Sequence, residues 1–224
     1  VTRPTTRLAS DSVPSLLTYR VVRSLVCWFT QAFTRMHIDG REHLPTTGAY
    51  VVAPVHRSYV DTPIVACVTR RRIMFMGKKE MWKYPRLGWL ISALGAFPVD
   101  RGSADREALS RCVTVLGRGE PLVLFPEGER KDGGRIHPLF DGAAFVAARA
   151  GVPIVPVGIG GSARVMPRGA RMIRPAKVHV VIGEPITVEV GESGRAPRRA
   201  ISEASGQLSV ELQRLFDLAE ARVG

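Results

Sequence analysis

Short valine-rich runs alternate with helix-like stretches along most of this chain, and that alternation narrows the folds open to it more than any other feature. Apolar runs stand at residues 50–55 (YVVAPV), 73–76, 96–99, 122–125, 154–159 and 178–182. Each is short, apolar and bounded by turn-forming residues, which is the pattern of a buried strand. Between them the periodicity predicts helices over 62–70, 104–117, 142–150 and 198–221. Strands and helices in turn imply an α/β layered fold, with a central, largely parallel sheet flanked by helices. The 224 residues are 45% hydrophobic, enough for one domain with a full core. No internal repeat or low-complexity linker divides them. Residues 162–177, rich in Arg, Gly and Pro, read as a long basic loop, and 191–199 as a polar connection.

Ahead of the first strand, residues 1–14 form a polar lead-in, and 15–36 turn helical. Leu17, Val21, Leu25, Trp28 and Phe29 recur at spacings of three and four, with Arg20, Arg23 and Arg35 among them. A basic helix rich in aromatics suits the interfacial plane of a membrane; the same pattern reads equally as a first helix packed on the core. The expected organisation is therefore a lead-in and amphipathic helix over 1–36, then a single α/β domain over 37–224. Between Arg23 and Arg35 only eleven residues lack charge, whereas a spanning helix needs about 20. No signal-peptide pattern is present. The net charge of +12 favours a polyanionic partner, nucleic acid or an anionic lipid surface, without choosing between them. Cys27, Cys67 and Cys112 are odd in number and follow no CxxC spacing, so reduced thiols are expected in place of disulfides or zinc.

The sharpest local feature is His56-Arg57-Ser58-Tyr59-Val60-Asp61, directly after the run YVVAPV. Thr62-Pro63 resembles a helix start, with Thr62 as cap and Pro63 at the first helical position. Residues 56–61 would then form a strand-to-helix turn that folds the carboxylate back onto the imidazole, at the strand end where open α/β sheets place ligands. A neutral imidazole accepts a proton from a hydroxyl, and a carboxylate on its other nitrogen fixes the tautomer. A solvated loop histidine near a helix-start aspartate fits the spacing too. Two further blocks lie at strands: 95–101 (GAFPVDR), whose strand Arg101 closes, and 125–130 (FPEGER), straight after an apolar strand. Arginine's planar fork suits phosphate, and a glycine at a strand end lets an anion approach the backbone. Each block alone is also compatible with an ordinary turn and surface ion pairs.

Taken in order, these blocks resemble those of the glycerophospholipid acyltransferase family, specifically the 1-acylglycerol-3-phosphate acyltransferases. That family carries His and Asp separated by four residues, a block ending in Arg, a Glu-Gly block and a proline-containing apolar strand. They match His56 and Asp61, residues 95–101, residues 125–130 and residues 152–157 (VPIVPV). The resemblance covers about half the chain and implies a glycerol-3-phosphate acyltransferase-like fold. It implies His56 as general base oriented by Asp61, Arg101 on the acceptor phosphate, and Glu127, Gly128 and Arg130 lining the acceptor site. The donor it implies is an acyl thioester, acyl-CoA or acyl carrier protein, with the sn-2 hydroxyl of 1-acylglycerol 3-phosphate as acceptor, another lysophospholipid or glycerol 3-phosphate as the alternatives, and no metal or other cofactor. Two departures stand out: Val55 where asparagine is common before the histidine, and Glu129 and Lys131 where threonine and serine are common.

Residues 77–91 (GKKEMWKYPRLGWLI) fit a lipid substrate. Lys78 and Lys79 are cations placed to meet phosphates, and Trp82, Tyr84 and Trp89 are rings suited to headgroup level; the alternative is a core helix with a solvated edge. Lys78 and Lys79 are expected among the residues that bind the acceptor; the three rings, with Arg20, Arg23 and Trp28, make up the expected membrane-facing set, and a peripheral location on the cytoplasmic face of the plasma membrane follows. The run Gly158–Gly161 precedes no helical pattern or acidic ribose ligand, and there is no GxSxG elbow. His37, His43, His137 and His179 lack metal-ligand spacing. A non-catalytic basic module binding anionic lipid or nucleic acid would explain the charge but not the ordered blocks, and nucleic acid is not expected because no reading motif is present.

Overall fold

Runs too short and apolar to stand alone are stable only when hydrogen-bonded on both edges and covered on both faces. The computed structural model, which describes residues 13–99, 106–170, 172–191 and 196–224, meets that need with one sheet. Its strands are β1 (His37–Asp39), β2 (Val51–Pro54), β3 (Met74–Lys78), β4 (Ala96–Val99), β5 (Leu122–Val123), β6 (Ile154–Gly160) and β7 (His179–Ile182), in the order β1-β7-β6-β2-β5-β3-β4. Neighbours from β6 to β4 run parallel; β7 turns back antiparallel to β6 and pairs in parallel with β1. The sheet is thus largely parallel, as expected. β2 is buried at all four positions, and β6 at all seven.

Parallel neighbours require crossovers, and helices supply them. α2 (Asp61–Ala66) joins β2 to β3, α3 (Pro85–Ala93) joins β3 to β4, and α5 (Gly142–Ala150) lies between β5 and β6. α4 (Arg106–Leu116) follows β4, though the intervening residues 100–105 lie outside the described set, and with them Arg101 and the expected start of this helix at 104. α7 (Arg198–Ala221) buries Leu208, Leu212, Leu215, Phe216 and Ala219, one face of a 3.6-residue period, against β6 and β7. Its backbone comes so close that a Cβ on Gly158 would sit 2.4 Å from the Leu215 carbonyl, and one on Gly160 2.3 Å from Ala219. The glycine-rich run therefore serves helix–sheet packing.

α1 (Val13–Thr34) packs on α2 and α3. Tyr19, Thr30 and Thr34 face inward, while Leu17, Val21, Leu25, Trp28 and Phe29 are exposed. The apolar stripe thus points away from the rest of the protein, while the opposite face packs on it. No helix among the described residues is long and apolar enough to cross a membrane. Cys67 and Cys112 are buried, Cys27 is half-buried, and all three are free thiols. Cys27 and Cys67 meet where α1 crosses α2, and the hydrogen bond from Cys67 pulls the Cys27 thiol down to about 7.

Candidate active site

The register of the central strands assembles the site. Val51 pairs with Leu122 and Val52 with Val123, so the turn after β2 and the turn after β5 emerge side by side at the same end of the sheet. They are stitched together: the Lys131 amide donates to the His56 carbonyl at 2.9 Å, and the His56 amide to Glu127 Oε2 at 3.4 Å.

Within the first turn, Asp61 Oδ2 accepts three hydrogen bonds: His56 Nδ1 at 3.0 Å, the Arg57 amide at 2.6 Å and the Ser58 amide at 2.7 Å. Asp61 is fully buried, and the His56 side chain keeps 16% exposure. An oxygen already taking two amide protons acts as acceptor, so Nδ1 donates and Nε2 is left as the proton-accepting nitrogen of the neutral ring. Phe125 stacks on the imidazole at 3.9 Å between centroids and fixes its plane. The helix start differs from the sequence expectation. Asp61 is itself the first residue of α2, Val60 precedes it without a side-chain cap, and Pro63 falls at the third helical position. The Asp61 carboxylate holds amides of the preceding turn and lies at the helix N-terminus, where negative charge is favoured, while α2 itself has no side-chain cap.

Glu127 and Gly128, expected on the acceptor wall, are not on it. Glu127 is buried: Oε2 accepts Arg57 Nη1 at 2.6 Å, and Oε1 accepts the His137 amide at 3.0 Å. Arg57 in turn donates to the carbonyls of His56, Gly133 and Arg135, and its guanidinium lies 5.0 Å from the Phe216 ring centre in α7. This buried ion pair, with its donors satisfied, pins the His56–Asp61 turn to three other segments. Gly128 takes φ +73° and closes the FPEG turn, its amide donating to the Phe125 carbonyl; a Cβ there would strike the Phe140 ring.

Above the dyad opens a cleft of about 680 Å³. Phe75, Met76, Ile91 and Leu94 make its apolar side, with Val26 of α1; Tyr59, Glu129, Arg130 and Arg168 make its polar rim beside His56. Arg130, a residue the sequence reading singles out, lines this cleft, and so do Glu129 and Arg168, which that reading did not assign. The Lys131 ammonium hydrogen-bonds Glu129 and holds its carboxyl below the usual range. Tyr19, also lining the cleft, has its phenol pushed up by burial. Lys79 is exposed on the turn after β3, outside the cleft lining.

The membrane-facing set divides. Arg20, Trp28, Tyr84 and Trp89 are exposed, Trp28 by 69% and Trp89 by 62%. Arg23 instead turns inward and donates to the carbonyls of Ala66 and Thr69, satisfying groups that the end of α2 leaves open. Trp82 is half-buried, its ring laid on Gly77 and Gly88 and its Nε1 donating to Ser92 Oγ at 2.8 Å. Two of the remaining histidines hold local structure: His179 Nε2 contacts Asp39 at 2.9 Å and His43 Nδ1 contacts the Ile182 carbonyl at 2.8 Å.

A family model described as Acyltransferase matches residues 35–160. The chloroplastic 1-acyl-sn-glycerol-3-phosphate acyltransferase BAT2 of Brassica napus is 31% identical over 158 residues, covering 69% of this chain and 46% of that protein. The 1-acyl-sn-glycerol-3-phosphate acyltransferase of Bacillus subtilis (strain 168) is 28% identical over 185 residues, covering 80% and 89%. The chain thus spans about half the length of the plant relative, at 46%, and most of the bacterial one. The crystal structure of the 1-acyl-sn-glycerophosphate (LPA) acyltransferase PlsC from Thermotoga maritima shares the fold, with a TM-score of 0.73 at 24% identity over 89% of this chain and 80% of that one.

Proposed function

We propose, starting from the fact that this chain belongs to the acyltransferase family, that it moves a fatty acyl group from an acyl thioester to the free sn-2 hydroxyl of 1-acylglycerol 3-phosphate or a related lysophospholipid. The observation that carries this reading is the His56–Asp61 pair opening into a cleft with one apolar and one cationic side. The names of the relatives support the choice of acceptor.

In the proposed reaction His56 Nε2 takes the hydroxyl proton as the oxygen attacks the thioester carbonyl. Asp61 stabilises the imidazolium through Nδ1. The tetrahedral intermediate collapses with cleavage of the C–S bond, and the imidazolium returns its proton to the departing thiolate. Products are the new ester and a free thiol, of CoA or of acyl carrier protein. A thioester brings its own activation, so the reading calls on no metal or cofactor. Arg130 binds the acceptor phosphate; Arg101 and the Lys78 side chain, both outside what the structure describes, are assigned the same headgroup, and Lys79, away from the cleft, is assigned to neighbouring lipid headgroups. Nucleic acid has no part in it.

The exposed stripe of α1, with Tyr84 and Trp89, supports a peripheral seat on an anionic membrane, where the acceptor resides; we assign the cytoplasmic face of the plasma membrane. The test is thiol release from acyl-CoA on vesicles carrying lysophosphatidic acid. His56→Ala should lower the rate by roughly 10²–10⁴, the usual contribution of a general base. A near-normal rate in that variant would end the proposal.

A further inference from the structure

Tyr59 lies on the cleft rim in the same turn as His56, half open to solvent, and its ring carries the guanidinium of Arg130 at 3.3 Å from the ring centre. The acids around Arg130 are already matched to other cations. Glu129 pairs with Lys131 at 2.7 Å and Asp132 with Arg168 at 3.2 Å. Among the described residues, no carboxylate is paired with Arg130 itself, and the aromatic face is the partner that orders it.

Stacking has a specific consequence for a guanidinium. Its five N–H donors lie in the plane and point outward from the edge, so a ring against one face leaves every donor open. A carboxylate partner would instead consume two of them. The ring also removes rotamer freedom that the long side chain would otherwise lose on binding an anion.

We infer that Tyr59 is a positioning residue: it holds Arg130 with its donor edge toward the acceptor phosphate, and ties that phosphate clamp to the turn carrying the catalytic histidine. Neither end of this link is conveyed by the His-to-Asp spacing alone, because Tyr59 occupies one of the four positions between them. The inference rests on the proposed acyl transfer. Its magnitude is that of a partly exposed cation–π contact, so loss of the ring should weaken acceptor binding by about three- to tenfold.

Steady-state kinetics of Tyr59→Phe, Tyr59→Leu, Arg130→Ala and the Tyr59→Leu/Arg130→Ala pair test it, with oleoyl-CoA as donor and 1-oleoyl lysophosphatidic acid as acceptor. Tyr59→Leu should raise the acceptor KM by about three- to tenfold while kcat and the donor KM stay within about twofold. Phe, which keeps the ring, should restore the acceptor KM. In the Arg130→Ala background, Tyr59→Leu should add nothing further, since the cation it positions is gone. An acceptor KM unchanged in Tyr59→Leu, or effects of the two substitutions that simply multiply, overturns the role of Tyr59 and leaves the acyl-transfer reading standing. A fall in kcat that Phe does not rescue also overturns it, because that marks a structural role. Absence of thiol release by the unmodified protein with any phosphorylated lysolipid would instead defeat the acyl-transfer reading.

Discussion

Two carboxylates near the dyad show how burial assigns work that residue type does not. Asp61 and Glu127 are both fully enclosed, but Asp61 contacts the histidine ring, whereas Glu127 contacts an arginine beneath it. Arg57 carries a charge that cannot be shed, so neutralising its partner leaves that charge uncompensated inside the protein. Glu127→Gln should therefore destabilise the fold by about 3 kcal/mol in urea titration, the order expected for breaking a buried pair. It should not act as a binding defect. A selective rise in acceptor KM at unchanged stability would return Glu127 to the acceptor wall. The sequence spacing singled out His56 and Asp61 because a strand end, a histidine and a helix-start acid are local events. The positions of Glu127 and Arg23 are set by partners far along the chain, Arg57 and the carbonyls closing α2, and that of Trp82 by a local fold that lays the indole on Gly77 and Gly88. Arg23 in particular reads as a surface cation on any helical wheel, and only the crossing of α1 over α2 turns it inward.

The elements legible in advance were those with a strong period or a dense apolar run. β2, β4 and β6, together with α5 and α7, lie where the pattern puts them, within one or two residues. β1 went unread because three residues, His-Ile-Asp, at a sheet edge need no apolar run. The residues of α3 read as a membrane-side segment, since tryptophan and basic residues obscure its short helical period, and α6 (Ser162–Val165) is too short to stand out from a basic loop. The antiparallel return of β7 is a long-range pairing that local pattern does not encode. Glycine placement between elements offers a sharper test of the packing. Gly158 meets the α7 backbone, whereas Gly206 inside α7 is exposed and faces open space. Gly158→Ala should cost about 1–3 kcal/mol as α7 is forced off the sheet, while Gly206→Ala should gain about 0.5–1 kcal/mol through helix propensity. Thermal unfolding of the two single variants separates them by sign. Shifts in the same direction would contradict the contact between β6 and α7.

At the scale of the whole molecule, α1 presents Tyr19, Arg23, Thr30 and Thr34 to the protein and Leu17, Leu25 and Trp28 to the outside. Such an inverted helix leaves apolar surface in water unless something covers it, and the excess of 32 basic over 20 acidic residues favours an anionic cover. The cleft opens beside the inner face of this same helix, through Tyr19, Arg23 and Val26, so a lipid sheet against the outer face would bring its acceptors within reach of His56. Two attractions then act together, and they respond to different perturbations. Apolar insertion depends on side-chain area and hardly on salt, whereas attraction to headgroups weakens as ionic strength shortens the screening length. The protein should sediment with vesicles containing phosphatidylglycerol more strongly than with phosphatidylcholine alone, and that preference should fade as salt is raised. Leu25→Glu combined with Trp28→Glu should lower partition at every salt concentration, by at least about tenfold, since each replaces a side chain whose burial contributes about 1.5–3 kcal/mol. Neither residue touches the cleft, so thiol release from a soluble short-chain acceptor should be unaffected in that variant. Partition that is indifferent to the double substitution would mean that another surface meets the membrane, and that the outward stripe of α1 is covered by something other than lipid.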